Sequence, residues 1–166
     1  MNHYVHKIED MYAKRKFDKE IDNVYGSKAD TAAPANNTTL EEMKNSLPTL
    51  KNLHAKTGYA KLESSELYSV GAAEAKTFAY DTDNYTKANS VFYRSSFSSY
   101  RNLAHNMLHE FGHGVHYFNG DYYRYLKGGN RTDKQLQNWK EQYAFKFAFD
   151  NGGLPYQNNA WYLINK

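Results

Sequence analysis

Residues 99–118 read SYRNLAHNMLHEFGHGVHYF and predict one long helix. Ser98 or Ser99 is a suitable N-cap, because a serine hydroxyl can accept a hydrogen bond from a backbone N–H of the first turn. Apolar residues recur through the segment at helical spacing. His109 and His113 are four positions apart, so they share one face of this helix and lie about 6 Å apart along its axis.

The five residues His109-Glu110-Phe111-Gly112-His113 form an H-E-x-x-H motif. Two imidazoles at this spacing can bind one zinc ion, and the glutamate between them lies where it can take a proton from bound water. We therefore interpret His109 and His113 as zinc ligands and Glu110 as a general base. The competing interpretation is a surface helix with scattered histidines.

Two glycines, Gly112 and Gly114, flank the second histidine of the motif. Each costs about 1 kcal/mol in a helix interior relative to alanine. Their presence predicts that another backbone or a substrate approaches the helix closely. The alternative is that the helix bends or ends near Gly114.

Length and composition favour a single globular domain and exclude several classes of site. The chain has 166 residues, 40% of them hydrophobic, with three prolines and no cysteine. Disulfides, cysteine-type zinc sites and a cysteine nucleophile are therefore excluded. The net charge is +3 with one short basic cluster at residues 14–16, so we expect no nucleic-acid partner. No apolar run approaches 18 residues, so we expect no membrane span.

The first seven residues lack the apolar core of a signal peptide. The chain is thus expected to stay inside the cell, to leave by another route, or to be a fragment of a longer secreted protein. Its localisation and oligomeric state stay open.

The first part of the chain predicts helices separated by a polar loop. Apolar spacing over residues 4–24 indicates an amphipathic helix, and residues 26–39 indicate a loop. Thr39 and Glu42 form a capping-box pattern that opens a helix at Leu40, and Pro48 interrupts this helix or starts a new one. We predict an N-terminal helical arm and linker over residues 1–36 and the main domain over residues 37–166.

The second part predicts strands followed by two helices. Candidate strands cover residues 66–70, 76–80 and 90–94, with a turn at 81–84, and a last helix covers residues 133–149. The predicted fold is α+β. It has a small twisted, mostly antiparallel sheet, a backing helix, the motif helix and a following helix that bears a ligand.

Over residues 75–150 this order resembles the zincin metallopeptidases, and more narrowly the gluzincins. Gluzincins take a third zinc ligand from a glutamate on a later helix, often followed three residues on by a small residue. Glu141 and Ala144 fit this pattern, and Glu141 follows His113 by 28 positions. The resemblance implies Zn²⁺ bound by His109, His113 and Glu141, with one coordination position left for water.

Other assignments of the third ligand stay open. A metzincin would have a histidine six residues after the motif, where this chain has Asn119. An aspzincin would use an aspartate, for which Asp133 and Asp121 are the nearest candidates, although the G-T-x-D pattern is missing. Glu141 could also be a solvated helix residue beside Lys140.

The resemblance also implies a peptide-binding edge strand and a donor to the oxyanion. The segment 90–95 is the candidate strand. The candidate donors are His116, Tyr122, Tyr123 and Tyr156. His105 could contribute from the other side of the motif, or both histidines could simply line a wet cleft.

The predicted function is zinc-dependent hydrolysis of a peptide or protein, by an endopeptidase rather than an exopeptidase. A short domain of this kind, without cysteine or a signal peptide, resembles the effector (toxin) modules attached to larger secreted proteins. The alternatives are a non-catalytic peptide- or protein-binding module on a zincin-like fold, and a basic, aromatic nucleic-acid binder.

Overall fold

The computed structural model describes residues 15–58, 61–79 and 87–154. These residues form six α-helices and a three-stranded sheet, so the fold combines α and β structure as predicted. The elements, in chain order, are α1 (Lys16–Tyr25), α2 (Asn37–Ser46), α3 (Pro48–His54), β1 (Lys61–Ser64), β2 (Ala75–Ala79), β3 (Ala88–Phe92), α4 (Tyr100–Phe118), α5 (Asp121–Lys127) and α6 (Asp133–Asp150).

The two long helices begin where side chains cap them. The Ser99 hydroxyl accepts a hydrogen bond from Asn102 N at 2.9 Å, which confirms the predicted start of α4. Thr132 and Gln135 form a reciprocal capping box at the start of α6. α4 and α6 end at Phe118 and Asp150, within one residue of the predicted ends.

The shorter helices differ from the prediction in the start of α2 and in α5, which lies in a segment where no helix was predicted. α2 begins at Asn37 rather than Leu40, because the Asn36 side chain accepts a hydrogen bond from Thr39 N and is itself the cap. Thr39 therefore lies inside the helix. Pro48 starts α3, which was one of the two predicted outcomes.

The sheet has the order β1-β3-β2. β2 pairs with β3 antiparallel, and β1 pairs with β3 parallel. The sheet is therefore mixed, not mostly antiparallel. The predictions over residues 76–80 and 90–94 correspond to β2 and β3, whereas β1 was not predicted.

The predicted strand at residues 66–70 is wrong. This segment bends, and its β-bridge joins Val70 to Ala73 around Gly71, which has a φ of 59°. Leu67 O and Tyr68 O accept hydrogen bonds from Arg94 N and Ser95 N, but these residues form no strand. Leu67 and Tyr68 are 59% and 74% exposed, so the apolar residues that suggested a strand do not pack into a sheet.

The core lies between the helices and the sheet. α1 contributes Phe17 and Ile21 to the same buried cluster that holds Leu103, Met107 and Phe111 of α4. The boundary near residue 36 stays a prediction. Residues 4–14 of the predicted first helix and the turn at 81–84 lie outside the described residues.

A search of the described helices finds none with the length and apolar character that a membrane crossing requires.

Candidate metal centre

One face of α4 forms the floor of a cavity of about 790 Å³. β2 and α6 supply opposite walls. The α4 residues that line it recur at intervals of three or four: Asn102, His105, Asn106, His109, Glu110 and His113. The motif therefore opens into a space of the size that small-molecule and peptide-side-chain sites have in proteins.

His109 and His113 converge on the carboxylate of Glu141. His109 Nε2 lies 3.0 Å from Glu141 Oε2, and His113 Nε2 lies 3.3 Å from Glu141 Oε1. The two imidazole rings stand edge to face, with centroids 4.8 Å apart. All three side chains are largely buried, with 15%, 5% and 15% of their surface exposed in the order His109, His113, Glu141.

The close packing of α4 on α6 explains how Glu141 reaches the histidines. A Cβ on Gly112 would stand 3.1 Å from Cα of Ala144 and 3.0 Å from a ring carbon of Phe147. Glu141 lies one turn before Ala144 on α6, at the level of the motif histidines. The predicted close approach at Gly112 is confirmed, and the approaching backbone belongs to α6.

Gly114 has a corresponding neighbour on the other side of the helix. A Cβ there would lie 3.0 Å from Cβ of Thr57. α4 continues through Gly114 to Phe118, so the alternative prediction that it ends at Gly114 is wrong.

When no cation is present, the environment of the cluster favours the charged forms of both His109 and Glu141. Burial alone would lower the pKa of His109, but the hydrogen bond to Glu141 and the charges of Glu110 and Glu141 raise it. Burial alone would raise the pKa of Glu141, but the neighbouring charge of His113 and the hydrogen bonds from both histidines hold it well below its usual range. Glu141 is thus an ionised carboxylate.

The carboxylate of Glu110 is held by the sheet. Thr77 Oγ1 lies 2.9 Å from Glu110 Oε1 and 2.6 Å from Ser90 Oγ. The other oxygen, Glu110 Oε2, lies 3.9 Å from His109 Nε2. Sequence reasoning missed Thr77 and Ser90, although both are hydroxyl residues inside correctly predicted strands.

Of the other sequence candidates, His105 lines the cavity and His116 does not. His105 Nε2 lies 2.9 Å from Asp18 Oδ1, so its ring is tied to α1. His116 is 1% exposed and stacks on Tyr143 with ring centroids 3.9 Å apart. Burial, with the nearby charges of His113 and Lys140, lowers the pKa of His116 to about 3.

Of the candidate tyrosines, Tyr122 and Tyr123 are described, and neither lines the cavity. Tyr122 contacts the rings of His116 and Tyr117 in the last turn of α4. The Lys127 ammonium lies 5.7 Å from the ring centroid of Tyr123. Tyr156 lies outside the described residues.

The structure brings neither candidate aspartate to the histidines. Asp121 pairs with Arg124 on α5. Asp133 is exposed in the first turn of α6, two helical turns before Glu141. Of the three acidic candidates for the third ligand, Glu141 alone lines the cavity.

The prediction that segment 90–95 is an edge strand that binds substrate is also wrong. Segment 90–95 begins within β3, and β3 is the central strand, with partners on both sides. Within the described residues, β2 is the edge strand that borders the cavity. Lys76 and Phe78 of β2 are exposed on either side of buried Thr77.

The donor set of this cluster fits a divalent cation such as zinc. Two histidine imidazoles and a glutamate carboxylate are common ligands of catalytic zinc. Ligands held 2.0–2.2 Å from a tetrahedral ion stand roughly 3.3–3.6 Å apart, which the Nε2–oxygen distances of 3.0 and 3.3 Å approach. His109, Glu110 and His113 together could hold a metal ion, with their ligand atoms within 4.8 Å of one another.

Comparisons with protein-family models, curated proteins and solved structures found no match to this chain.

Proposed function

We propose that this chain is a zinc-dependent peptidase of the zincin type, with an arrangement similar to that of gluzincins. The observation that carries the proposal is the meeting of His109, His113 and Glu141 beside Glu110. The chain brings these residues together from two helices, and 28 positions separate His113 from Glu141. A surface helix with scattered histidines would not bury an ionised glutamate against both of them.

In this proposal His109, His113 and Glu141 hold the zinc ion. Bound zinc would supply a Lewis acid and lower the pKa of a coordinated water. Glu110 takes a proton from the attacking water and returns it to the leaving amine. The 3.9 Å between Glu110 Oε2 and His109 Nε2 supports this role, because it places the free oxygen of the base next to the ligands.

The cavity supports a peptide as the substrate. An extended peptide could lie along β2, whose exposed Lys76 and Phe78 would flank it, and the edge of a sheet offers backbone groups for pairing. Apolar walls at Phe145 and Ala148 would accept side chains. A groove along a strand edge favours an endopeptidase over an exopeptidase.

Metal content and activity test the proposal together. Purified protein should hold about one zinc per chain and cleave an unfolded protein substrate such as casein. Glu110→Gln should keep the zinc and lose nearly all activity, because only the base is removed. Glu41→Gln, at an exposed acid on α2, is the matched control and should behave as the parent. Protein that folds normally without zinc and is indifferent to chelators would reject the proposal.

A non-catalytic peptide-binding module is the second candidate, and one observation favours it. Nδ1 of His109 and Nδ1 of His113 are buried without a hydrogen-bond partner among the described residues. Zinc-binding histidines normally donate their second ring N–H to an acceptor. A binding module would retain a fluorescent peptide without cleaving it, both in the parent and in Glu110→Gln.

A further inference from the structure

The buried hydroxyl of Thr77 lies between the sheet and the motif helix. Thr77 is the only residue of β2 that is buried, and Ser90 is its direct partner across the β2–β3 ladder. Thr77 and Ser90 are 7% and 1% exposed. Their hydroxyls are 2.6 Å apart, and Thr77 Oγ1 is 2.9 Å from Glu110 Oε1.

The chemistry of these groups fixes the direction of the hydrogen bonds. Thr77 donates its single hydroxyl proton to Oε1 of Glu110. Thr77 then has only lone pairs left for Ser90, so Ser90 must donate to Thr77. The chain of bonds runs from Ser90 through Thr77 to Oε1 of Glu110. The backbone oxygen of Glu110, at 3.4 Å, is a longer second contact of the same hydroxyl.

This arrangement separates the two oxygens of Glu110. Oε1 is held by the sheet, and Oε2 points towards His109. A carboxylate with one oxygen anchored has fewer rotamers, so the other oxygen is held in one place. Bonds to an ionised acceptor in a buried site are also stronger than neutral ones.

We propose that Thr77, supported by Ser90, is a positioning residue that aims Oε2 of Glu110 at the ligand cluster. The proposal rests on the proposed function for its effect on turnover. The contact between Thr77 and Glu110 does not depend on that function and can be tested separately.

Kinetics give the first test. Thr77→Val removes the hydroxyl at nearly constant shape and should lower kcat by about 10- to 100-fold, the usual effect of losing an outer-shell partner. The KM and the zinc content should stay as in the parent. Thr77→Ser should restore kcat to within a few fold. Thr39→Val is the matched control, because it removes another buried hydroxyl, one that donates to Asn36 Oδ1 far from the cavity.

Thermal unfolding of the metal-free protein gives a second test that needs no activity. Thr77→Val should lower Tm by about 3 to 12 °C in the parent. The same change should lower Tm less in Glu110→Ala, where the hydroxyl has lost its carboxylate partner and keeps only its bonds to Ser90 and to the backbone. Ser90→Ala, which removes the donor to Thr77, gives the same comparison if Thr77→Val does not fold.

The outcomes separate the two proposals. Equal kcat in Thr77→Val and Thr39→Val, no rescue by Thr77→Ser, or equal Tm shifts with and without Glu110 would each overturn the positioning role. If the parent cleaves no peptide, the proposed function fails, and the Tm comparison alone decides whether Thr77 holds Glu110.

Discussion

Gly112 faces Ala144 at a close contact between the two helices that carry the candidate ligands. A Cβ on Gly112 would lie 3.1 Å from the Ala144 Cα, so a side chain there would force the two helices to shift. Because His113 follows Gly112 directly and Glu141 stands one turn before Ala144, this contact sets the distance between the histidines and the glutamate.

Gly112→Val is expected to separate α4 from α6. The added methyl groups would meet Ala144 and Phe147, and overpacking of this kind costs about 1–3 kcal/mol of unfolding free energy. Zinc affinity should fall as well, because Glu141 moves with α6. Urea unfolding and zinc titration would measure both effects. Gly129→Val is the control, since the nearest atom to a Cβ there is 3.8 Å away.

Glu141→Ala is expected to lose zinc. Removing one of three ligands should weaken zinc binding by more than about 100-fold, the upper end of the effect of outer-shell substitutions. Competition with a chromophoric chelator would measure it. Asp133→Asn and Asp121→Asn should keep parental affinity. If zinc binding survived in Glu141→Ala and fell in one of the aspartate variants, that aspartate would be the third ligand.

His116→Phe is expected to make the protein less sensitive to acid. Burial lowers the folded-state pKa of His116 from its usual 6.5 to about 3, so the unfolded state binds more protons between these pH values. The unfolding free energy is therefore unaffected by this group above pH 6.5, and it falls as the pH drops from 6.5 towards 3. The variant should show a slope of unfolding free energy against pH that is smaller by about 1 kcal/mol per pH unit.

The same variant tests the predicted oxyanion role of His116. Since His116 stacks on Tyr143 and does not line the cavity, His116→Phe should keep activity within a few fold of the parent. If His116→Phe lost 100-fold or more of the activity at unchanged zinc content, His116 would again be a candidate for the oxyanion donor.

Asp18→Asn is expected to loosen α1 from α4. Asp18 Oδ1 lies 2.8 Å from Arg101 and 2.9 Å from His105, and these partners outweigh burial and hold its pKa below the usual value. The variant should lose about 1–3 kcal/mol of unfolding free energy at pH 7. This loss should shrink as the pH falls through the pKa of the Asp18 carboxyl. Urea unfolding at two pH values measures it. Glu41→Gln, which breaks an exposed pair with Lys44, should cost less than about 1 kcal/mol.

Local signals were enough for the two long helices and for part of the site. Ser99, the apolar spacing and the run to Phe118 predicted α4, since a helix depends mainly on contacts within a few residues. The same geometry places His109 and His113 on one face. β1 was not predicted, because a four-residue strand depends on its pairing with β3, a distant segment.

The sequence by itself determined the motif helix, the following helix and the chemical character of the two histidines and the base. It pointed to Glu141 only through a resemblance. The tertiary structure decided that Glu141 meets the histidines, that Thr77 holds Glu110, and that His116 is buried elsewhere. The physical reason is that helix periodicity is local, whereas these relationships depend on how closely α4 packs against α6 and the sheet.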